Sequence, residues 1–181
     1  MPGILKFALI ALVVTAAVYD FRFRRIPNWL NLSGIILGLG LNTLLFAQHG
    51  FWAAALGTLV PLALYVPLYL LRAMGAGDVK LMAAVGSIAG PQNWIVILIC
   101  TTLAGGVIAI AVAVRNKRLQ RTLMNVAVLA GELSRFHPPA ARNETLDVKN
   151  TRSMRLPHGV AIAAGSLAFL LLNPANIYPP R

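Results

Sequence analysis

The sequence predicts an all-α, polytopic membrane protein of about six transmembrane helices. Three observations predict it. The chain is 58% hydrophobic, with a mean hydropathy of +0.73, and a soluble domain of 181 residues could not cover so much apolar surface. Six apolar segments alternate with short polar breaks. Of the 16 Lys and Arg, 14 fall in alternate connections between those segments. A net charge of +11 distributed this way marks the cytoplasmic loops of a membrane protein and not a nucleic-acid footprint. Residues 1–181 read as a single membrane-embedded domain with a basic cytoplasmic loop at about 115–155.

The first segment, about Pro2–Tyr19, carries only Lys6 as a charge. That is a weak start for a signal peptide, and cleavage near Ala17 would detach the segment that positions Asp20. A retained first span is expected. The second segment is about Trp29–Ala47, with Pro27 and Asn28 expected to start its helix, and it contains Ser33, Gly34 and Gly38, a small-residue spacing that lets helices approach closely. The third, about Phe51–Leu71, includes Pro61 and Pro67, which are expected to kink it. Spanning takes ~20 apolar residues. The fourth segment, about Asp78–Ala89, is too short for that, and is expected to enter part way or to sit among other helices. The fifth, about Trp94–Val114, holds Cys100, the only cysteine. It reads as a small core hydrophobe, and it excludes an intrachain disulfide and a cysteine-based metal site. The sixth is about Leu156–Leu172.

Topology follows from the positive residues. Arg22, Arg24, Arg25, Arg72, Lys80 and the basic residues from Arg115 to Arg155 lie after the first, third and fifth segments, whereas Gln48–Gly50 and Gly90–Asn93 carry none. Both termini are therefore expected outside, and the basic connections inside. In the long loop, Leu119, Leu123, Val126, Ala130 and Leu133 recur at helical steps beside Arg115, Lys117, Arg118 and Arg121. Two readings stand: an amphipathic helix on the inner membrane face, or a short helix packed on the protein itself.

The chain has five acids, Asp20, Asp78, Glu132, Glu144 and Asp147. Asp20 closes the first segment and is followed by Arg22, Arg24 and Arg25. Asp78 follows Gly75 and Gly77, whose backbone freedom would let one helix end and another start. Each acid has a plain structural explanation: Asp78 as a helix cap beside Lys80, Asp20 as a boundary residue neutralised by arginine. The topology, however, places both at one membrane surface on different helices. Acids in membrane segments are costly and tend to be kept for function. Two aspartates held close do not both ionise readily, and the pair shares a proton. One can take a proton from water while the other polarises a peptide carbonyl, which is aspartyl proteolysis without metal or cofactor. His49, His137, His158 and Cys100 form no competing catalytic arrangement. His158 reads as an interfacial residue.

Gly75-Ala76-Gly77-Asp78 resembles the GxGD signature of intramembrane and membrane-surface aspartyl proteases. Asp20, the arginines after it and Ile26-Pro27-Asn28 resemble the first-aspartate motif of type IV prepilin peptidases. Leu156-Pro157-His158-Gly159 through Gly165 resembles the start of their last helix, with His158 where an aromatic residue is often found. The three motifs occur in the family's order and leave out only Arg115–Ser153. The resemblance implies a GxGD aspartyl protease-like bundle with Asp20 and Asp78 as catalytic residues. Its implied substrates are prepilins or pseudopilins, whose basic leader is cut after a glycine at the cytoplasmic face of a bacterial inner membrane. Larger members carry a four-cysteine zinc-binding insertion and also N-methylate the product. This chain lacks the cysteines and resembles the small enzymes of tight-adherence (Flp) pilus systems. A basic leader meeting a basic enzyme surface is an awkward pairing that anionic lipids would ease.

Asp20 and Asp78 are thus the expected dyad, with acid and base unassigned between them. Gly75 and Gly77 are expected to shape the turn that presents Asp78. Arg22, Arg24, Arg25 and Lys80 are candidates for substrate or lipid contact, although Lys80 should not share Asp78's helix face. No metal site and no nucleic-acid partner is expected. The rivals are a peptidase that also methylates, an ion-coupled transporter subunit, and a non-enzymatic scaffold for pilus assembly. A transporter site usually lies at the midplane, and a scaffold would tolerate loss of both acids.

Overall fold

The computed structural model describes residues 1–71, 74–115 and 158–172. Every secondary-structure element among them is an α-helix: α1 (Gly3–Phe23), α2 (Asn28–Leu70), α3 (Ala76–Arg115) and α4 (His158–Leu172). By length and composition α1, α2 and α3 could each cross a membrane: each contains an 18-residue stretch of high mean hydropathy, 2.0, 1.8 and 2.7 respectively. The 21 residues of α1 extend about 32 Å, close to a hydrocarbon core of about 30 Å. Kept straight, the 43 residues of α2 would extend about 64 Å. Both α2 and α3 instead fold back on themselves.

The reversal in α2 comes at Ala47, whose backbone leaves the helical region (φ 49, ψ −132). The partners of α2 along α3 show the change of direction. Asn28 meets Lys80, Asn31 meets Gly77, Gly34 packs on Ala84 and Gly38 on Ser87, so the first half rises beside α3. Beyond Ala47, Gly57 packs on Gly86 and Tyr65 returns to the neighbourhood of Asp78, so the second half descends. The break in α3 is at Gly90 (φ 77, ψ 164), a conformation for which glycine is the natural residue. Past it, Thr101 lies against Gly165 and Gly105 against Ala161, so this half runs antiparallel to α4. The four described helices therefore supply six rods.

At the centre is the short rod expected to sit among other helices. Every residue from Leu81 to Gly90 is buried. Around it the small-residue contacts are tight. A Cβ at Gly34 would stand 2.9 Å from Leu12, and one at Gly38 would strike Ser87. Pro61 and Pro67, where kinks are expected, both lie inside the helix with helical backbone angles around them, and the one residue of α2 with non-helical angles is Ala47. Pro61 has no N–H to give the Gly57 carbonyl, and that oxygen lies directly against Gly86 of the central rod. Close packing by a neighbouring helix is the setting in which a membrane helix tolerates an internal proline.

Buried polar groups tie the rods together. The Asn42 amide, fully buried, donates to the carbonyls of Gly38 (2.9 Å), Ser87 (3.0 Å) and Ile88 (3.4 Å). Ser87 Oγ donates back to the Ile35 carbonyl at 3.1 Å. Apart from Arg115, the last residue of α3, the Arg115–Arg155 loop with its expected amphipathic helix lies outside the described residues, as do Arg72 and the acids Glu132, Glu144 and Asp147.

Candidate active site

Asp20 stands in the last turn of α1. That helix is closed by Arg24 in the left-handed conformation (φ 52, ψ 32), whose N–H donates to the Asp20 carbonyl at 2.8 Å. Four residues, Arg24–Pro27, then lead to Asn28, the first residue of α2, as the Ile26-Pro27-Asn28 pattern predicted. Arg22, Arg24 and Arg25 are exposed. Asp20 is not: its relative exposure is 8%, and its Oδ2 accepts the Gly159 N–H at 2.7 Å. The first turn of α4 thus holds the Asp20 carboxylate with a free helix-start N–H and the positive end of its dipole. A Cβ at residue 159 would stand 2.9 Å from Asp20 Oδ2, so only glycine lets the two come this close.

Asp78 stands in the first turn of α3. The Gly75 carbonyl accepts the N–H groups of Asp78 (3.2 Å) and Val79 (3.3 Å), and the Asp78 carboxylate accepts the Gly75 N–H in return. The carboxylate half of this arrangement matches the acid of a capping box, three residues inside the helix and not at the cap itself, while the Gly75 carbonyl makes ordinary first-turn bonds. The unusual backbone angles expected of the two glycines are not found. Gly90, not Gly75 or Gly77, is the described glycine with positive φ. Gly75 works through close approach, since a Cβ there would lie 3.1 Å from Asp78 Oδ2. At Gly77 a Cβ would meet Ile26 at an ordinary 3.4 Å.

The two acids come together at one end of the bundle. Asp78 feels the charge of Asp20 and of His158. Two further residues complete the surroundings. Asn31, with a relative exposure of 1%, donates through Nδ2 to the Gly77 carbonyl at 3.4 Å and fastens the glycine turn to α2. Tyr65 is buried near Asp78, and its ring packs edge-on against Trp94 at 6.2 Å. His158, expected to be interfacial, is exposed at the start of α4 and lies near Asp78. Lys80 is exposed, and its Nζ donates to Asn28 Oδ1 at 2.9 Å, on a different face from Asp78. The sequence signalled Gly159 only as part of a motif, and nothing in it marked Asn31 or Tyr65. Among the described residues no three His, Cys, Asp or Glu gather as a metal site would require.

Comparison with known proteins places this geometry. The family model for type IV leader peptidases matches residues 7–110. The chain is 33% identical over 132 residues to the prepilin leader peptidase/N-methyltransferase of Escherichia coli, an alignment covering 67% of this chain and 55% of that protein. The chain thus spans about half the length of this curated relative. No solved structure matches it. Because the family model matches more than half of the chain, a stretch that includes both Asp20 and Asp78, the chain belongs to the type IV leader peptidase family.

Proposed function

We propose that this protein is a membrane aspartyl endopeptidase that removes the basic leader from Flp-type prepilins or pseudopilins. The observation that carries the reading is the meeting of Asp20 and Asp78. They come from different helices, yet each carboxylate is held by a backbone N–H at the same end of the bundle. The six rods serve as six spans in the bacterial inner membrane, with both termini outside. The arginine-flanked end, with the dyad, faces the cytoplasm.

The chemistry needs only the pair. One carboxylate takes a proton from water as the water oxygen bonds to the scissile carbonyl carbon. The other, protonated, gives its proton to the carbonyl oxygen. The tetrahedral intermediate then collapses: the C–N bond breaks, a proton passes to the leaving amine, and the pair again shares one proton. The products are the leader with a new carboxylate and the pilin with a new amino terminus. The two helix starts provide directed N–H groups that hold the carboxylates in place, so little reorganisation is needed during reaction.

The short form of the reaction fits the linker. Four residues between α1 and α2 leave no room for a cysteine-bearing insertion at that point, and leader removal alone, without methylation, is the activity proposed. Co-expression with an Flp-type prepilin tests it. A gel shift and a new pilin amino terminus just after the leader glycine, unmethylated by mass spectrometry, is the expected result. An unprocessed prepilin at normal enzyme level would count against the peptidase reading, and a methylated product against the short form.

A further inference from the structure

A cavity of about 390 Å³ lies between α2, α3 and α4. One part of it is next to the two acids: Met74 precedes Gly75, the donor to Asp78, and His158 precedes Gly159, the donor to Asp20. From there it continues along α3 and α4 beside Gly105, Gly106, Ala109 and Ala161. No Asp, Glu, Lys or Arg lines it among the described residues. A basic peptide would find no counter-charge inside, whereas an apolar one is well suited to it.

The glycine pair points to an occupant. Glycine weakens a helix interior relative to alanine, so a helical glycine calls for a packing reason. At Gly34, Gly38, Gly57, Gly86 and Gly165 the chain supplies one, because a neighbouring helix fills the space a Cβ would need. Gly106 is different: nothing lies within 4 Å of such a Cβ, and Gly105 meets only Ala161, at 3.6 Å. Gly40 is equally open and, like Gly106, exposed, but it is not part of the cavity lining. Small residues on membrane helices let a second helix approach closely. At Gly105 and Gly106 the described chain does not take up that approach, and the space opens on the cavity beside the dyad.

We infer that the cavity docks the apolar stretch of the substrate that follows the scissile bond, and that Gly105 and Gly106 set how closely it approaches. The inference rests on the peptidase reading and adds a location and a polarity to it. A peptide whose carbonyl sits between Asp20 and Asp78 can continue into the cavity on its apolar side. Its basic side is then left toward the exposed Phe21–Arg25 end, among headgroups and water.

Two measurements test this. In the first, a photoreactive benzoylphenylalanine replaces Ala109 in the Asp78→Asn chain, in membranes that also contain an Flp-type prepilin. Adducts are then mapped by mass spectrometry. Cross-links within the first apolar turns of the mature pilin are expected. Adducts confined to lipid, to the leader or to residues 116–157 of this chain would overturn the inference. In the second, Gly106→Leu is compared with wild type on full prepilin and on a peptide that ends just past the scissile bond. The loss on full prepilin should exceed that on the short peptide by about tenfold or more, as expected for a filled apolar pocket. Equal losses on both substrates would contradict it. Cross-links to the apolar stretch without cleavage by the wild type would uphold the docking site and refute the peptidase reading, so the two can fail separately.

Discussion

Replacing Gly159 with alanine tests how the first turn of α4 supports Asp20. The new Cβ would stand 2.9 Å from both the Cβ and Oδ2 of Asp20, against an ordinary contact limit of 3.4 Å. The side chain must therefore yield by about 0.5 Å, the difference between those distances. Its 2.7 Å bond from the Gly159 N–H cannot survive that movement unchanged. A hydrogen bond to a charged group contributes about 1.5–3 kcal/mol, and misplacing a reacting group by about 1 Å can cost roughly a hundredfold in rate. A partial loss of about 1–2 kcal/mol in the transition state corresponds to roughly a 5- to 30-fold lower kcat. The assay is the initial rate of prepilin cleavage by purified enzyme in liposomes. Gly40→Ala serves as the control, since its Cβ meets nothing within 4 Å. KM should change little, because the carboxylate acts on the reacting bond and not on distant parts of the substrate. A kcat within about twofold of wild type would refute the argument that Gly159 is small for the sake of Asp20.

Other outcomes follow from the same geometry. Asn42→Leu removes the donor to three carbonyls and should lower stability by about 1–2 kcal/mol, seen as a lower melting temperature in detergent. Ala47→Gly should raise it, because the left-handed backbone at Ala47 (φ 49) costs a non-glycine residue about 1 kcal/mol or more. A dyad that works with one shared proton should give a bell-shaped dependence of kcat/KM on pH. Activity is lost in acid when both carboxyls are protonated, and in base when both are ionised.

The rods were legible in the sequence because hydropathy reports burial in lipid directly. The breaks were less so. Gly90–Asn93 read as a loop and the reversal falls at Gly90 within it, whereas Gln48–Gly50 read as a loop and the reversal is at Ala47 just before it; at both, helix resumes at once. Alanine carries no turn signal, so nothing local marked position 47. The meeting of Asp20 and Asp78 was legible for a global reason: the arginine and lysine distribution puts both at one face. Their supports were not. The Gly159 N–H lies 139 residues from Asp20 and the Asn31 amide 46 from Gly77, separations that no helical or strand periodicity encodes. Glycines 75 and 77 were recognised, but for the wrong physical reason: Gly75 matters for the space beside Asp78 and not for unusual backbone angles.

The central claim is that Asp20 and Asp78 act as one catalytic unit. The most direct test is single-turnover cleavage of a purified Flp-type prepilin in liposomes by four forms: wild type, Asp20→Asn, Asp78→Asn and the double variant. Groups that act together are strongly non-additive. The account predicts that each single variant inserts normally yet loses cleavage as completely as the double variant does. Measurable cutting by either single variant at equal protein level, or losses that simply multiply in the double variant, would contradict it.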